Sequence, residues 1–387
     1  MKNKGQNIKN ILNKNWFSAR VNMSVAGKKF SFCPARLFVV LVAAILVLAV
    51  LVQLLLIPAH RPRKLAMDLE TGGAYTLETY GNKLLMYNKR NIKAVDKKGE
   101  TVWSVNMPLS HPQIEIAGNY ILAVDLGGNN DAVLFKEGKQ VCKYNIGKDI
   151  ISAKVNKSGT SVFATAADGY KGRVTVYDKK GREKFSWNSA DGYIMDVAIN
   201  PSGRYIAVAQ LSSQGQVADS KIQFIDLYRK KPINIAEQND AVIGEIAFAD
   251  NRLICISDSA FSGYSDTGRH LYTVSLAGKK PEEFDIFGGE YFTFVTKDNR
   301  GNDVLEIYST SGRLKGRYQA SGNITATQVH KDMIVAGGQR EVCLISPRGK
   351  VKKSVECSHD IRSIGVFDNQ KTVLVLGNSE ADIFWMK

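Results

Sequence analysis

The stretch IKAVDKKGETVWSV, residues 92–105, decides the fold, because the chain repeats it as VTVYDKKGREKFSW (174–187), LEIYSTSGRLKGRY (305–318) and VCLISPRGKVKKSV (342–355). Each copy is an apolar run rich in β-branched and aromatic residues, a turn containing glycine, and a second alternating run. That pattern is a β-hairpin. Weaker copies are AVLFKEGKQVCKY (132–144), IQFIDLYRKKPINI (222–235) and LYTVSLAGKK (271–280), and ADIFWMK (381–387) ends the chain in the same phase without a partner strand. The first strands begin near residues 91, 131, 172, 221, 270, 303, 341 and 381. A spacing of about 40 residues is that of four-stranded propeller blades.

Pairs of short strands fill the intervals: IEIAGNYILAVD (114–125), MDVAINPSGRYIAVA (195–209) and ITATQVHKDMIVAGG (324–338). The chain is therefore expected to be all-β, an eight-bladed β-propeller. Seven blades is the alternative count, because EEFDIFGGEYFTFV (282–295) is short for both an outer strand and a new inner one. Two separate β-sandwiches would not repeat one phrase at constant phase. Pairing ADIFWMK with GAYTLETY (73–80) would close the ring and remove exposed sheet edges.

Ahead of the repeats stands LFVVLVAAILVLAVLVQLLLI, residues 37–57, uncharged and with Gln53 as its one polar side chain. At about 1.5 Å per residue it matches a hydrocarbon core of roughly 30 Å, so it reads as one transmembrane helix. It is longer than the apolar region of a cleaved signal peptide and leads into IPAHRPRK, which suits an uncleaved signal-anchor. Eight lysines and arginines precede it and Arg61, Arg63 and Lys64 follow, an imbalance that places the N-terminus in the cytoplasm. The expected organisation is a basic cytoplasmic tail (1–36), the helix (37–57), a stalk (58–70) and an extracytoplasmic propeller (71–387). In the tail, Ile8, Ile11, Leu12 and Trp16 fit either a basic amphipathic helix on the membrane or a disordered segment.

The same charges explain the overall basicity. Eleven positive residues precede the first acidic one, Asp68, so the net charge of +15 leaves about +4 for the rest of the chain. A nucleic-acid surface would need basic clusters on the folded body with stacking aromatics, and none stands out. The five cysteines show no CxxC spacing. Cys142, Cys255, Cys343 and Cys357 sit in apolar runs as small hydrophobes. The turn at Pro347–Gly349 puts Cys343 opposite Ser354, so no Cys343–Cys357 bridge is expected.

Motifs for chemistry are missing. There is no GxSxG, HExxH or P-loop, and His60, His111, His270, His330 and His359 are scattered. No cofactor and no catalytic residue is assigned. The loops DLGGNND (125–131) and DNRGND (298–303) hold oxygen ligands suited to calcium, but Asp, Asn and Gly are equally the residues of plain turns. Two connections exceed turn length, LSSQGQVADS (211–220) and DSAFSGYSDTGR (258–269); they occupy the same strand connection in neighbouring blades and are expected to rise from one face. They nominate Gln214, Phe261, Tyr264 and Asp266 as a binding surface, against the alternative of length variation without function.

At AVDKKGETVW (94–103) the chain resembles the Trp-docking repeat of pyrroloquinoline-quinone propellers and of the outer-membrane assembly propeller. Asp96, Gly99 and Trp103 match that motif, which clamps adjacent blades; Asp178, Gly181 and Trp187 match it more loosely. Quinoprotein dehydrogenases need adjacent cysteines, which this chain lacks. Sialidase-type propellers carry S-x-D-x-G-x-T-W boxes, and YSDTGRHLY (264–272) has only the Asp and Gly.

A broader resemblance runs through LLMYNKRNIKAVDKKGETVW (84–103), SHPQIEIAGNYILAVDLGGN (110–129) and MDVAINPSGRYIAVAQLSS (195–213), set behind the basic tail and anchor. Together these resemble an uncharacterised family of membrane-anchored propellers from Gram-positive bacteria. The resemblance implies a cell-envelope location and supplies no catalytic residues. The functional expectation is a non-enzymatic binding or scaffold protein, touching lipid through anchor and tail and an envelope protein or wall polymer through the propeller. The alternative is an envelope hydrolase or sugar-binding enzyme with an unusual channel site, which would place close carboxylates at one mouth of the channel.

Overall fold

Alternating outer strands and uniformly apolar inner ones produce eight four-stranded antiparallel sheets. The computed structural model describes residues 75–126, 131–214, 217–276, 290–369 and 371–386, and the backbone of Val21–Val25, Lys28–Phe32, Pro34–Leu56, Arg63–Leu65 and Glu283–Asp285. The chain divides into two compact units, Met1–Arg61 and Pro62–Lys387. In the first, a hairpin pairs Val21 with Phe32, and the backbone is helical over Pro34–Leu56, across the apolar run. Among the described residues, no helix is long and apolar enough to cross a membrane. The tail residues Ile8 to Trp16 lie outside the described residues.

The second unit is an eight-bladed β-propeller. Blades 1 to 7 span residues 76–106, 112–145, 150–189, 193–238, 243–275, 283–319 and 326–356, and blade 8 spans 363–385 together with Arg63–Leu65. Within each blade the first strand is innermost, since first strands of successive blades touch one another. Second strands such as Tyr120–Asp125 and Ser161–Thr165 are buried at every position, because both faces of the sheet press on neighbouring blades. Fourth strands such as Thr101–Asn106 and Val351–Glu356 alternate exposed and half-buried residues, as expected at a rim. Eight apolar clusters fill the eight seams, including that between blades 8 and 1, where Leu77, Leu84 and Met86 pack on Phe367, Leu374 and Ile383.

The repeated phrase is the third and fourth strands with their turn. In blade 1 the Asp96 carboxylate accepts hydrogen bonds from the backbone N–H of Lys98 (2.8 Å) and Glu100 (2.9 Å), and Gly99 takes the left-handed φ of 83° that completes the turn. Asp178 repeats this toward Lys180 and Arg182, and Ser346 does so more weakly toward Lys350. The loop at 298–303 is built the same way, with Asp298 accepting from Arg300 and Asn302, so turn chemistry accounts for it. In the loop at 125–131, residues 127–130 lie outside the described ones. Cys343 pairs with Ser354, as the turn length dictates, and Cys142, Cys255, Cys343 and Cys357 are free thiols.

Three expectations are corrected. LYTVSLAGKK is one phase late: the third strand of blade 5 is Ala260–Ser265, and His270–Ser275 is its fourth. The short segment at 282–295 accommodates an eighth blade because its inner strand is only Glu283–Asp285, paired with Tyr291–Lys297. Finally, the strand beside Ala381–Trp385 is not GAYTLETY, whose residues Thr76–Tyr80 begin blade 1, but Arg63–Leu65 from the stalk, with Arg63 opposite Ile383. The last strand thus pairs with a segment preceding the first blade. The closed seam is fastened by the Thr79 hydroxyl donating to the Val366 carbonyl (2.6 Å) and the Leu77 N–H donating to Ser363 Oγ (3.3 Å).

Candidate functional site

The polar residues of the innermost strands ring the axis, the position where propellers of this kind place a channel. Asp196, on the first strand of blade 4, is 7% exposed. Its Oδ1 accepts from Ser152 Oγ of blade 3 (2.6 Å) and from its own neighbour Val197 N (2.8 Å), and its Oδ2 accepts from Ile246 N of blade 5 (2.9 Å). One carboxylate therefore joins three blades. Beside it Lys154 Nζ lies 2.7 Å from Glu115 Oε1, both side chains being about four-fifths buried. Burial alone would lower the Lys154 pKa, but Glu115, Asp196 and Glu245 outweigh it and hold the ammonium above the ordinary lysine value. Gln113 donates to Glu115 Oε1 (2.8 Å).

Chemically this is a ring of staples. A glycosidase-like site needs one carboxyl group kept protonated beside a second that is ionised; here an ammonium stands among the acids, and Asp196 is fully occupied by protein donors. Among the described residues, no group of three His, Cys, Asp or Glu residues could hold a metal ion. Among the described residues, a thiol, an imidazole and a carboxylate come together at the seam of blades 7 and 8. There His359 Nε2 lies 3.4 Å from Asp382 Oδ2, and burial, aided by Asp382, pushes the Cys357 thiol up to about 12. A thiol so protonated is a poor nucleophile at neutral pH.

The four residues nominated from sequence do not form one surface. Phe261 is fully buried between blades 5 and 6, its ring 4.8 Å from Tyr308 and 5.1 Å from Phe292. Tyr264 is buried against Phe224 of blade 4, and its hydroxyl accepts from Gln238 Nε2 (3.0 Å). Both belong to a strand, since the supposed loop 258–269 is a turn, the third strand of blade 5 and a second turn. Asp266 falls in that second turn. Gln214 ends the strand Tyr205–Gln214, which pairs with Val217–Asp226, so LSSQGQVADS is an extended hairpin arm. Gln214 and Asp266 lie at opposite ends of their blades' third strands and therefore on opposite faces of the ring.

On the face bearing the arm, sequence reasoning missed a cleft of about 420 Å³ in blade 3, whose lining includes Lys148, Asp168, Tyr170, Arg173, Thr175 and Asn188. Lys148 Nζ bridges to Asp168 Oδ2 at its lip (2.7 Å). Tyr170 is half exposed, and so is Tyr193 on the adjoining edge of blade 4, with Lys171 Nζ 4.6 Å above its ring. The available signal was a tyrosine inside the turn DGYKG (168–172), where small polar residues would suffice.

Fold and site thus define a closed eight-bladed propeller in which the axial carboxylates of Asp196 and Glu115 bond to other residues of the ring and a cleft opens on blade 3. Residues 65–384 match the family of unknown function DUF5711, and the chain belongs to that family. No curated protein matches it in sequence. It is similar in fold to the C-terminal WD40 domain of Sif2 (TM-score 0.59, 14% identity, 81% of this chain and 97% of that one). It is also similar to Saccharomyces cerevisiae Sqt1 (0.59, 11%, 82% and 97%) and to BamB from Moraxella catarrhalis (0.52, 10%, 84% and 98%). At these identities the likeness is one of architecture.

Proposed function

We propose that this chain is a non-enzymatic binding or scaffold protein of the bacterial cell envelope. In this proposal residues 37–57 anchor it in the membrane and the propeller, outside the cytoplasm, holds an envelope protein or wall polymer. The observation that carries the binding reading is the commitment of the axial acid Asp196 to Ser152, Val197 and Ile246. A side chain used to hold three blades together is not available for acid–base work, whereas Tyr170 at the cleft and the exposed Tyr193 near it are open to a partner. The anchor reading is supported by the apolar run and the positive charges before it. The test is a photo-crosslinking residue at position 193 in the intact cell, compared with one at position 235, which is also half exposed but lies on the outer strand of blade 4. A discrete adduct specific to position 193 is expected; identical products from both positions would refute this binding face. Protease protection of the tail, with the propeller accessible from outside, checks the topology.

A further inference from the structure

In blades 2, 3, 6 and 7 the turn of the phrase packs its glycine onto the outer strand of the preceding blade. Gly138 of blade 2 sits against the Trp103 ring, Gly181 of blade 3 against Cys142 Sγ, and Gly312 of blade 6 against the Tyr272 ring; a Cβ on any of them would collide with that side chain. At the seam of blades 6 and 7 the residue beneath the turn is itself glycine, Gly316. There a Cβ on Gly349 would run into the backbone of Arg317, and one on Gly316 into the backbone of Arg348 and Gly349. Here the turn and the strand beneath it meet backbone to backbone.

Beside this contact opens a groove of about 630 Å³. Tyr291, Pro347 and Val351 supply apolar lining, and Lys315, Arg348, Lys350 and Lys352 supply four positive charges without a carboxylate among the lining residues. All four cations are exposed, and none has an ion-pair partner among the described residues. Their neighbours are spent otherwise: Arg317 Nε bonds Glu306 Oε1 (2.9 Å) and Lys353 Nζ bonds the Trp385 carbonyl (2.7 Å). Lys350 and Lys352 stand two residues apart in an extended run, roughly 6.7 Å along the chain. That is of the order of the distance between phosphates joined by a short carbon linker.

We propose that this groove binds a linear phosphodiester polymer, with phosphates on Lys315, Arg348, Lys350 and Lys352 and the carbon linkers over Tyr291, Pro347 and Val351. A free mineral anion would have no use for the apolar lining, and a neutral glycan none for four unpaired cations. The proposal deepens the binding reading above by naming a ligand class, and it does not depend on the membrane anchor.

The test uses the full chain in zwitterionic detergent and a fluorescent poly(glycerol phosphate) oligomer, read by anisotropy. Binding is expected, weakening at least tenfold between 0.05 and 0.3 M salt as the charges are screened. The double variant Lys315→Gln/Lys350→Gln should weaken it at least tenfold, and Lys97→Gln/Lys179→Gln, on the equivalent turns of blades 1 and 3, should not. These are exposed side chains, and matching melting curves establish that each variant is folded. Equal loss in both double variants, no binding, or binding of dihexanoyl phosphatidylglycerol without the oligomer would each overturn the proposal, the last by making the groove a lipid headgroup site. Crosslinking at position 193 is indifferent to the groove variants, so the two proposals fail separately.

Discussion

Replacing Asp196 by alanine should unfasten three blades at once. The substitution removes the acceptor for Ser152 Oγ and Ile246 N at a site 7% exposed. A buried donor left without an acceptor costs about 1–3 kcal/mol, so the two together cost roughly 2–6 kcal/mol. Asp196→Asn should cost less, about 1–2 kcal/mol, since its amide oxygen still accepts one bond while its NH₂ donates to the Ser152 hydroxyl. Ser152→Ala removes one donor together with its need, so in a double-mutant cycle the pair should couple by about 1 kcal/mol. Urea unfolding of the full chain in detergent gives the totals. Hydrogen exchange supplies the local readout, because loss of its acceptor should speed exchange at the Ile246 amide by roughly 5- to 150-fold, the equivalent of about 1–3 kcal/mol. The reasoning fails if Asp196→Ala stays within about 0.5 kcal/mol of wild type, the range of an ordinary surface substitution, with exchange at Ile246 unchanged.

Two further outcomes follow from the turns. Gly349→Ala forces a side chain onto φ +78° and into the Arg317 backbone, whereas Gly81→Ala meets φ +55° with open space around it; the first should cost at least about 2 kcal/mol more than the second in thermal unfolding, and equal losses would refute the close contact. Asp226 is raised by burial but lowered further by the Arg204 guanidinium and the N–H groups of Arg229 and Tyr228, leaving its carboxyl below the ordinary range. A lowered folded-state pKa stabilises above the unfolded value and is lost as pH falls through the folded one, so the deficit of Asp226→Asn should be full at pH 7 and shrink below about pH 4. A deficit independent of pH would contradict this.

What the sequence made legible is local. Asp96 and Asp178 bond to N–H groups two and four residues on, and the fourth strands alternate, so hairpins, spacing and blade count could be read directly from the chain. The turn at Pro347–Gly349 likewise fixed Cys343 opposite Ser354. What failed depended on distant residues. Phe261 to Tyr264 reads as a loop because Gly263 interrupts it, yet that glycine is needed where the Tyr272 ring lies over the strand. Arg63–Leu65 carries no strand pattern at all; its pairing is set by the far end of the chain. The axial staples are equally silent, since Asp196 finds its partners 44 residues back and 50 residues ahead.

The resemblance to a Trp-docking motif turns out to be informative where it lapses. At blade 1 the clamp is present: Trp103 lies under Gly138 and meets the Tyr80 ring edge-on at 6.1 Å. In blade 3 the residue in register with Trp103 is Phe185, opposite Val176, and Trp187 lies two positions on. The glycine of the following turn recurs at most seams, while the residue beneath it changes from Trp103 to Cys142, Tyr272 and Gly316. A turn glycine can settle on a ring, a thiol or bare backbone, so the seam holds in each case, and the covered residue is free to vary without breaking the propeller. A large ring seals the rim. Glycine lets the next turn sink until backbone touches backbone, with Lys315 on one strand brought alongside Arg348 and Lys350 of the turn and Lys352 on the strand that follows it. The position that stabilises one seam therefore gives another its groove, and there four cations gather beside an apolar lining.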